Sequence, residues 1–315
     1  MTKRVNCLGI FVVDGLCGPI AHYPIAGKTT QVVADFIRFQ PGGGAANSSL
    51  ALADLGVPVR VFSKVGADVN GRFIVDTLQA RNVDTSGVCV ADGETTPFTF
   101  VGIHPHGDRT FVHTPGANKT FAAADLNPAL LFDADLLFYQ DFWVLPKLDG
   151  APAAALLAEA RRRGVRTLLD ECWGLGPNRV KLEAVLPILD YFLPSYDDLL
   201  AIYPGRDPVA MLRLLREKGV GRTVLKLGPQ GCLVGTDAAP VAVPSCADNI
   251  VDTTGAGDCF DAGFIAGLAH GLDDVNAARM GALAAAACIR HVGGANGIPT
   301  FETLAAQFGT PCGGG

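Results

Sequence analysis

The chain has 315 residues, which is long enough for one large α/β domain with insertions or for two domains of average size. Hydrophobic residues make up 49% and charged residues 18% of the sequence, so a disordered or low-complexity protein is excluded. The 31 acidic and 25 basic residues give a formal net charge of −6. The sequence lacks the excess of basic residues that binding to a phosphate backbone requires, so nucleic acid is not expected as a partner.

The cysteines and the first residues favour a cytoplasmic protein with no membrane partner. Nine cysteines are widely spaced without a CxxC pair, which argues against a disulfide framework or a zinc site and favours a reducing compartment. Lys3 and Arg4 precede an apolar run, but Asp14 interrupts it, as expected for a strand rather than a signal peptide. No stretch reaches the roughly 18 apolar residues of a membrane-spanning helix.

Short strand-like and helix-like segments alternate along the chain. The first are VNCLGIFVVD, GAANSSLALADLG, VRVFSKVG and NGRFIVDTLQARN, and later ones include DLLFYQ, PAAALLAEARRRG and VRTLLD. This alternation predicts repeated βα units around a mostly parallel, buried sheet. Gly56 and Gly164 follow two of the predicted helices, where a left-handed residue that ends a helix is easiest for glycine.

Two segments, 17–40 and 88–114, interrupt the alternation. Both combine alternating apolar and polar residues with Gly and Pro, which predicts antiparallel hairpins in a small separate sheet. Each segment leaves the core and returns to it, so the two can meet over the rim of the main sheet as a lid. The predicted α/β core therefore comprises 1–16, 41–87 and 115–315, and the β lid comprises 17–40 and 88–114.

The segment VDTTGAGDCFDAGFIAGLAHG, residues 251–271, carries the most specific local pattern. Gly255, Ala256 and Gly257 leave backbone N–H groups unobstructed before an apolar helix, as an anion or phosphate cradle requires. Asp258 follows at the start of the helix, where it could accept a proton from a hydroxyl group. The alternative is that Asp258 only caps the helix and that the glycines only form a turn.

The string DTTGAGDCF is similar to the C-terminal signature of the ribokinase or phosphofructokinase-B family of carbohydrate kinases. The family's second signature is matched by PGGGAANSSLALADLG, residues 41–56. The resemblance also covers GIFVVD, HTPGAN, VLKLGPQGC and GGANGIP, and thus nearly the whole chain. It implies a ribokinase-like α/β fold with a small β lid, and ATP-dependent phosphorylation of a hydroxymethyl group on a sugar or nucleoside.

The resemblance also implies roles for individual residues. Asp258 matches the family's catalytic base, and residues 255–257 match its anion hole. Asp252 resembles a residue that helps to bind a monovalent cation such as K⁺, with a role in the local turn alone as the open alternative. Val12 stands where ribokinase carries a second polar sugar ligand, which argues against d-ribose as the acceptor. The positions that match sugar contacts, or lie in the region that often supplies one, are Asp14, Gly42, Gly43, Asn47 and Gln140.

The expected ATP and Mg²⁺ region departs further from the family pattern. The usual Asn-x-x-Glu is replaced by PSYDD, which puts Ser195 and Asp198 at those spacings. Asp198 keeps a hard oxygen ligand, and Mg²⁺ often contacts protein through water. Lys226 and Gly228 resemble the nucleotide-binding strand and loop, and Asn296 resembles the adenine-side loop.

Two other functions remain open from the sequence. A nucleoside kinase would need an aromatic pocket for the base. Four phenylalanines of the lid could line such a pocket, or they could simply pack the lid sheet. A non-catalytic sugar sensor is favoured by the changed Ser195 and Asp198 but not by the intact Asp258. The four aromatic residues are Phe36, Phe39, Phe98 and Phe100.

The lid carries two further expectations. Arg109 could reach an anionic group of a substrate, although an arginine on the hairpin surface is the favoured interpretation. The exposed edges of the lid strands, together with the family resemblance, predict a homodimer formed through the lid.

Overall fold

The computed structural model describes residues 2–20, 22, 27, 31–106, 109–172, 176 and 178–308. Its strands are β1 (Val5–Leu8), β2 (Val12–Gly18), β3 (Phe36–Gly42), β4 (Val59–Phe62), β5 (Lys64–Gly66), β6 (Cys89–Ala91), β7 (Phe98–Ile103), β8 (Arg109–Thr114), β9 (Leu136–Phe142), β10 (Arg166–Glu171), β11 (Tyr191–Phe192), β12 (Arg222–Lys226), β13 (Cys232–Val234) and β14 (Val241–Val243). They form an eight-stranded sheet in the order β14-β13-β12-β11-β10-β9-β1-β4, a four-stranded sheet β3-β2-β7-β8 and a two-stranded ribbon β5-β6.

Helices cover both faces of the eight-stranded sheet. One apolar core contains Val5 and Cys7 of β1, and the other contains Leu8 of the same strand, because successive side chains of a strand point to opposite faces. The helices are α1 (Gly44–Asp54), α2 (Val69–Ala80), α3 (Pro128–Leu131), α4 (Ala151–Arg162), α5 (Arg179–Val185), α6 (Tyr196–Ile202), α7 (Pro208–Glu217), α8 (Ala256–Ala269), α9 (Asp274–Cys288) and α10 (Phe301–Ala305).

The large sheet is mostly parallel, as the alternation of segments predicts. The strands from β4 to β12 in the sheet order pair in parallel, and only β13 and β14 at one edge are antiparallel. In the sheet, β4 lies on one side of β1 and β9 lies on its other side, so the strand order reverses at β1. In open α/β sheets, ligands bind outside the carboxyl ends of the strands at such a reversal of strand order.

The small sheet is the predicted lid, with different limits and one unexpected pairing. Each excursion of the chain forms an antiparallel hairpin, β2–β3 and β7–β8. The two hairpins join through β2 and β7, which run parallel. The sheet begins at Val12, before the expected limit at 17, and Cys89–Ala91 pairs with Lys64–Gly66 outside it. The first predicted strand, VNCLGIFVVD, is therefore divided between the large sheet and the lid.

Local glycine predictions agree with the backbone. Gly56 and Gly164 have φ angles of +73° and +80°, which confirms left-handed residues after the two helices. Gly263 and Gly267 allow α8 to pack closely on α9, because a Cβ at either position would lie 2.7 Å from an atom of α9.

Two of the expectations from sequence concern disulfides and membrane-spanning helices. Among the described residues, Cys246 is disulfide-bonded, so a disulfide is present that the cysteine spacing did not predict. Within the described ranges, none of the helices is long and apolar enough to cross a membrane.

Candidate active site

The loop before α8 exposes backbone N–H groups at the rim of the large sheet. Gly255 has a left-handed φ of +73°, and a Cβ there would lie 2.7 Å from the Cα of Gly294 and closer still to its carbonyl oxygen. Gly257 is exposed, and the Lys226 Nζ lies 3.8 Å from its Cβ position. The loop therefore packs against a neighbouring backbone on one side and leaves the N terminus of α8 open on the other.

Asp258 lies in the first turn of α8 and connects the two glycine-rich motifs. The Asn47 Nδ2 donates a hydrogen bond of 2.8 Å to its carboxylate, and the Ser48 hydroxyl donates one of 3.0 Å to its main-chain oxygen. Burial raises the pKa of Asp258 above its usual value, and the charge of Asp170 adds to the effect, against the hydrogen bond from Asn47. The carboxylate is thus held in place and made more basic, as a general base requires.

Asp14 on the lid strand β2 faces the same space. A Cβ on Gly42 would lie 2.7 Å from the Asp14 Cγ, so only glycine leaves room for this carboxylate. Burial raises the pKa of Asp14 to about 7, with a further contribution from the charge of Asp258 and an opposing hydrogen bond from Thr99. Asp14 and Asp258 are therefore close enough to influence each other electrostatically.

Gly43 enters α1 with a φ of +88°, and a Cβ there would lie 2.5 Å from the Ile10 carbonyl oxygen. This close approach brings the start of α1, and with it Asn47, to the end of β1. The strained backbone position explains why the second motif contains consecutive glycines at this point.

Gln140 and its neighbour Asp141 end β9 beneath α1. The buried Gln140 amide donates a 2.6 Å hydrogen bond to the Ser48 hydroxyl, so it supports α1 from below. The sequence places Asp141 beside Gln140 in the region that often supplies a sugar contact, and in the structure its carboxylate accepts hydrogen bonds from the N–H groups of Gly44, Ala45 and Ile10 at 2.9–3.3 Å. Burial raises its pKa to about 8, and the charge of Asp258 adds to the rise.

Lys226 lies within a cluster of acidic side chains rather than open to a nucleotide. Its Nζ pairs with Asp170 at 2.9 Å and with Asp261 at 3.0 Å, and its side chain is 11% exposed. Burial acts to lower the pKa of Lys226, but the charges of Asp170, Asp261 and Glu171 outweigh it and raise the pKa. Two carboxylates therefore hold the Lys226 Nζ, and the nucleotide contact expected at this residue stays a prediction.

Of the remaining residues expected on the nucleotide side, Ser195 and Asp198 adjoin this cluster. The Ser195 N–H donates a 2.9 Å hydrogen bond to Glu171, and the pKa of Asp198 is raised by burial and by the charge of Asp170. Gly228 is exposed at a φ of +57°, and the exposed Asn296 amide donates to the Val292 carbonyl. Across the described part of the chain, no group of three or more His, Cys, Asp or Glu side chains could hold a metal ion.

Arg109 does not lie on the hairpin surface, contrary to the favoured expectation. From the start of β8 its Nη2 reaches Asp252 at 2.6 Å, and its Nη1 donates to the Thr254 hydroxyl. Burial raises the pKa of Asp252, but hydrogen bonds from Gly293, Thr254 and Arg109 outweigh it and bring the pKa below its usual value. No local pattern predicts this pair, because its members are 143 positions apart and belong to the lid and to the core.

A carboxylate beside an anion-binding helix start, at the switch point of an α/β sheet and facing a β lid, is suited to phosphoryl transfer. The fold and the site define the class: an ATP-dependent phosphotransferase with an alcohol group as acceptor. The sequence pattern of the pfkB family carbohydrate kinases matches residues 10–301, and the chain belongs to that family. This match confirms the family resemblance of the two glycine-rich motifs and the ribokinase-like fold that it implied.

Individual relatives agree with this assignment. A ribokinase of Haemophilus influenzae is 24% identical over 312 residues, which cover 96% of this chain and 98% of that protein. The structure of an Arabidopsis thaliana ribokinase complexed with ribose and ATP matches 97% of this chain and 98% of its own, with a TM-score of 0.84 and 22% identity. A nucleoside kinase of Methanocaldococcus jannaschii has a TM-score of 0.81 at 18% identity, covering 98% and 99% of the two chains.

Proposed function

We propose that the enzyme transfers the γ-phosphate of ATP to a hydroxymethyl group of a small sugar or sugar derivative. Asp258 accepts the proton of the attacking hydroxyl, whose oxygen forms the new bond to phosphorus as ADP leaves. The N–H groups of residues 255–257 and the positive end of α8 stabilise the negative charge of the transferred phosphoryl group. The observation that carries the proposal is the hydrogen bond from Asn47 to Asp258, which joins the acceptor-side motif to the base.

The acceptor side consists of Asp14, Gly42, Gly43 and Asn47 in this proposal. Carboxylate and amide groups bind sugar hydroxyls, and the glycines let the sugar approach the backbone. Gln140 acts through Ser48 rather than by touching the sugar, since its amide is buried against that hydroxyl. The nucleotide side includes Ser195, Gly228 and Asn296, with Lys226 balancing the acidic cluster beneath the anion hole.

The nucleotide of such a kinase would carry Mg²⁺, which would neutralise charge on the phosphates. Asp170 and Asp198 would hold it through water, since Mg²⁺ keeps several of its waters when few carboxylates bind it. Asp170 Oδ1 and Glu171 Oε2 support this assignment, because both are buried acceptors without a hydrogen-bond partner. A bound metal would balance the charge of these two oxygens, which Lys226 does not contact.

The register of the lid sheet favours a sugar over a nucleoside. Asp14 pairs with Thr99, whereas the next residue, Gly15, pairs with Phe39 and Phe100. Adjacent residues of a strand point to opposite faces, so these two rings lie on the face away from Asp14. The ring of Phe98 also covers Gly15, 2.7 Å from its Cβ position. Of the four phenylalanines considered, only Phe36 shares the Asp14 face.

The same outward face supports a homodimer formed through the lid. Ile37, Phe39 and Val112 are 66%, 57% and 62% exposed, and they share this face with Phe98 and Phe100. A continuous apolar face of this kind is usually covered by a partner, and we propose that a second copy of the chain covers it. We also propose a cytoplasmic location, where ATP is available.

A coupled ADP-release assay over sugars, aldonic acids and nucleosides tests the function. The variant Asp258→Asn keeps an acceptor for Asn47 but cannot take a proton, so turnover should fall by about 10²-fold or more. The raised pKa of Asp258 places the acid limb of the kcat/KM profile above the ordinary aspartate range, and this limb should vanish in the variant. Asp76→Asn, at an exposed position of α2, is the matched control. Near-normal turnover of Asp258→Asn would remove Asp258 as the base.

A further inference from the structure

Arg109 forms an ion pair between the lid and the loop that leads into the anion hole. Its guanidinium group contacts the Asp252 carboxylate at 2.6 Å and also donates to the Thr254 hydroxyl. The Asp252 side chain is 1% exposed and that of Arg109 is 22% exposed, so the pair is largely removed from water. Both ends of the guanidinium group are engaged by the core, which leaves it poorly placed to bind an anionic substrate.

Both oxygens of Asp252 are in use. Oδ1 accepts the Thr254 N–H at 2.8 Å in addition to the guanidinium group, and Oδ2 accepts the Gly293 N–H at 2.9 Å. A monovalent cation would need an oxygen that the guanidinium group now occupies. The K⁺ site that the family resemblance implied at Asp252 therefore does not fit this chain.

We infer that the Arg109 guanidinium group supplies, from the lid, the positive charge that a bound monovalent cation would otherwise supply at Asp252. The inference rests on the proposed kinase function and makes Arg109 a positioning residue. The guanidinium group of an arginine is a permanent cation in proteins, and its planar fork binds a carboxylate and a hydroxyl together. The enzyme thus carries its own cation and needs no K⁺.

The position of the pair explains how it acts on the site. Asp252 holds Gly293, and Gly294 packs against Gly255 at the start of the anion hole. Arg109 neutralises the buried charge that fixes these two loops together. Since Arg109 belongs to β8, the loops are held in this way only while the lid contacts the core. The lid and the anion hole are therefore coupled through one side chain.

Activity in the presence and absence of K⁺ tests the inference directly. Initial rates of the wild-type enzyme are measured in KCl and in tetramethylammonium chloride at equal ionic strength, and they should differ by less than about twofold. Arg109→Met keeps an apolar stem and removes the charge, so its rate without K⁺ should fall by about tenfold or more. K⁺ should restore part of that loss, because Asp252 and Thr254 are then free to bind it. Arg109→Lys should lose less of the rate than Arg109→Met. Arg72→Met, at an exposed position of α2, is the control for the loss of an arginine elsewhere.

Thermal unfolding in the same two salts gives a readout that does not depend on turnover. The wild-type melting temperature should be the same in both salts, whereas Arg109→Met should melt lower and be stabilised specifically by K⁺. A wild-type protein that needs K⁺ for activity, or that K⁺ specifically stabilises, would overturn the inference. So would an Arg109→Met protein that is insensitive to K⁺ in both measurements. If no acceptor is phosphorylated in either salt, the proposed function fails while the melting comparison still decides the role of Arg109.

Discussion

Replacing Gly255 by alanine separates the anion hole from general stability, because the chain contains a matched glycine. Gly255 and Gly56 have the same left-handed φ of +73°, but a Cβ at Gly56 meets no atom within 4 Å. Alanine at either position costs about 1–2 kcal/mol for the left-handed backbone. Only at Gly255 would the new Cβ also meet the neighbouring backbone, 2.7 Å from the Gly294 Cα.

The size of the effect on catalysis follows from that contact. Nonbonded carbons approach to about 3.5 Å, so relieving the contact with the Gly294 Cα alone would move its backbone or the Gly255 loop by about 0.8 Å, and the carbonyl oxygen is closer still. The Gly294 loop is tied to Asp252 through Gly293, which makes movement of the anion hole the easier response. A misplacement of about 1 Å can cost about 10²-fold in rate, and we expect a fall in kcat of that order for Gly255→Ala.

The assay compares kcat at saturating substrates with the free energy of unfolding in urea. Gly56→Ala should lose about 1–2 kcal/mol of stability and keep the wild-type kcat. Gly255→Ala should lose at least as much stability and, while still folded, about 10²-fold in kcat. If both variants kept kcat within about threefold of wild type, the anion hole would not depend on the Gly255 backbone. If both lost kcat equally, backbone strain alone would explain the loss.

Three further outcomes are expected. Asp14→Ala should weaken sugar binding more than ATP binding in calorimetry, and equal losses for both ligands would instead indicate a displaced strand β2. Lys226→Met leaves buried carboxylates without their cation and should lower the free energy of unfolding by about 3–5 kcal/mol. That loss should become smaller as the pH falls, because burial raises the pKa of Asp261 and of Glu171 and their protonation removes negative charge that Lys226 balances; a pH-independent loss in urea titrations would contradict the account. Phe39→Ser should convert a dimer to a monomer in light scattering, and a wild-type monomer would dismiss the lid interface.

The sequence alone determined the features that depend on local pattern. Alternating strand and helix segments predicted a mostly parallel sheet, because each segment shows the hydrophobic period of its own secondary structure. Gly255 and Asp258 were identifiable because the turn, the start of the helix and the carboxylate are contiguous in the chain. The family resemblance followed from the same two motifs, and the match over residues 10–301 agrees with it.

Only the tertiary structure decided the features that depend on long-range pairing and register. Asn47 meets Asp258 across 211 positions, and Arg109 meets Asp252 between the lid and the core. Lys226 resembled a nucleotide contact from its strand, and the packing of β12 near β10 and α8 places it between Asp170 and Asp261.

The phenylalanines of the lid depended on register in the same way. A shift of one residue between β2 and its neighbours would turn their rings toward the acceptor site, because side chains alternate between the faces of a sheet. The sequence contains that alternation for each strand separately. The partner of each residue across the sheet is set only when the strands pair, and this pairing decides which side chains form the site.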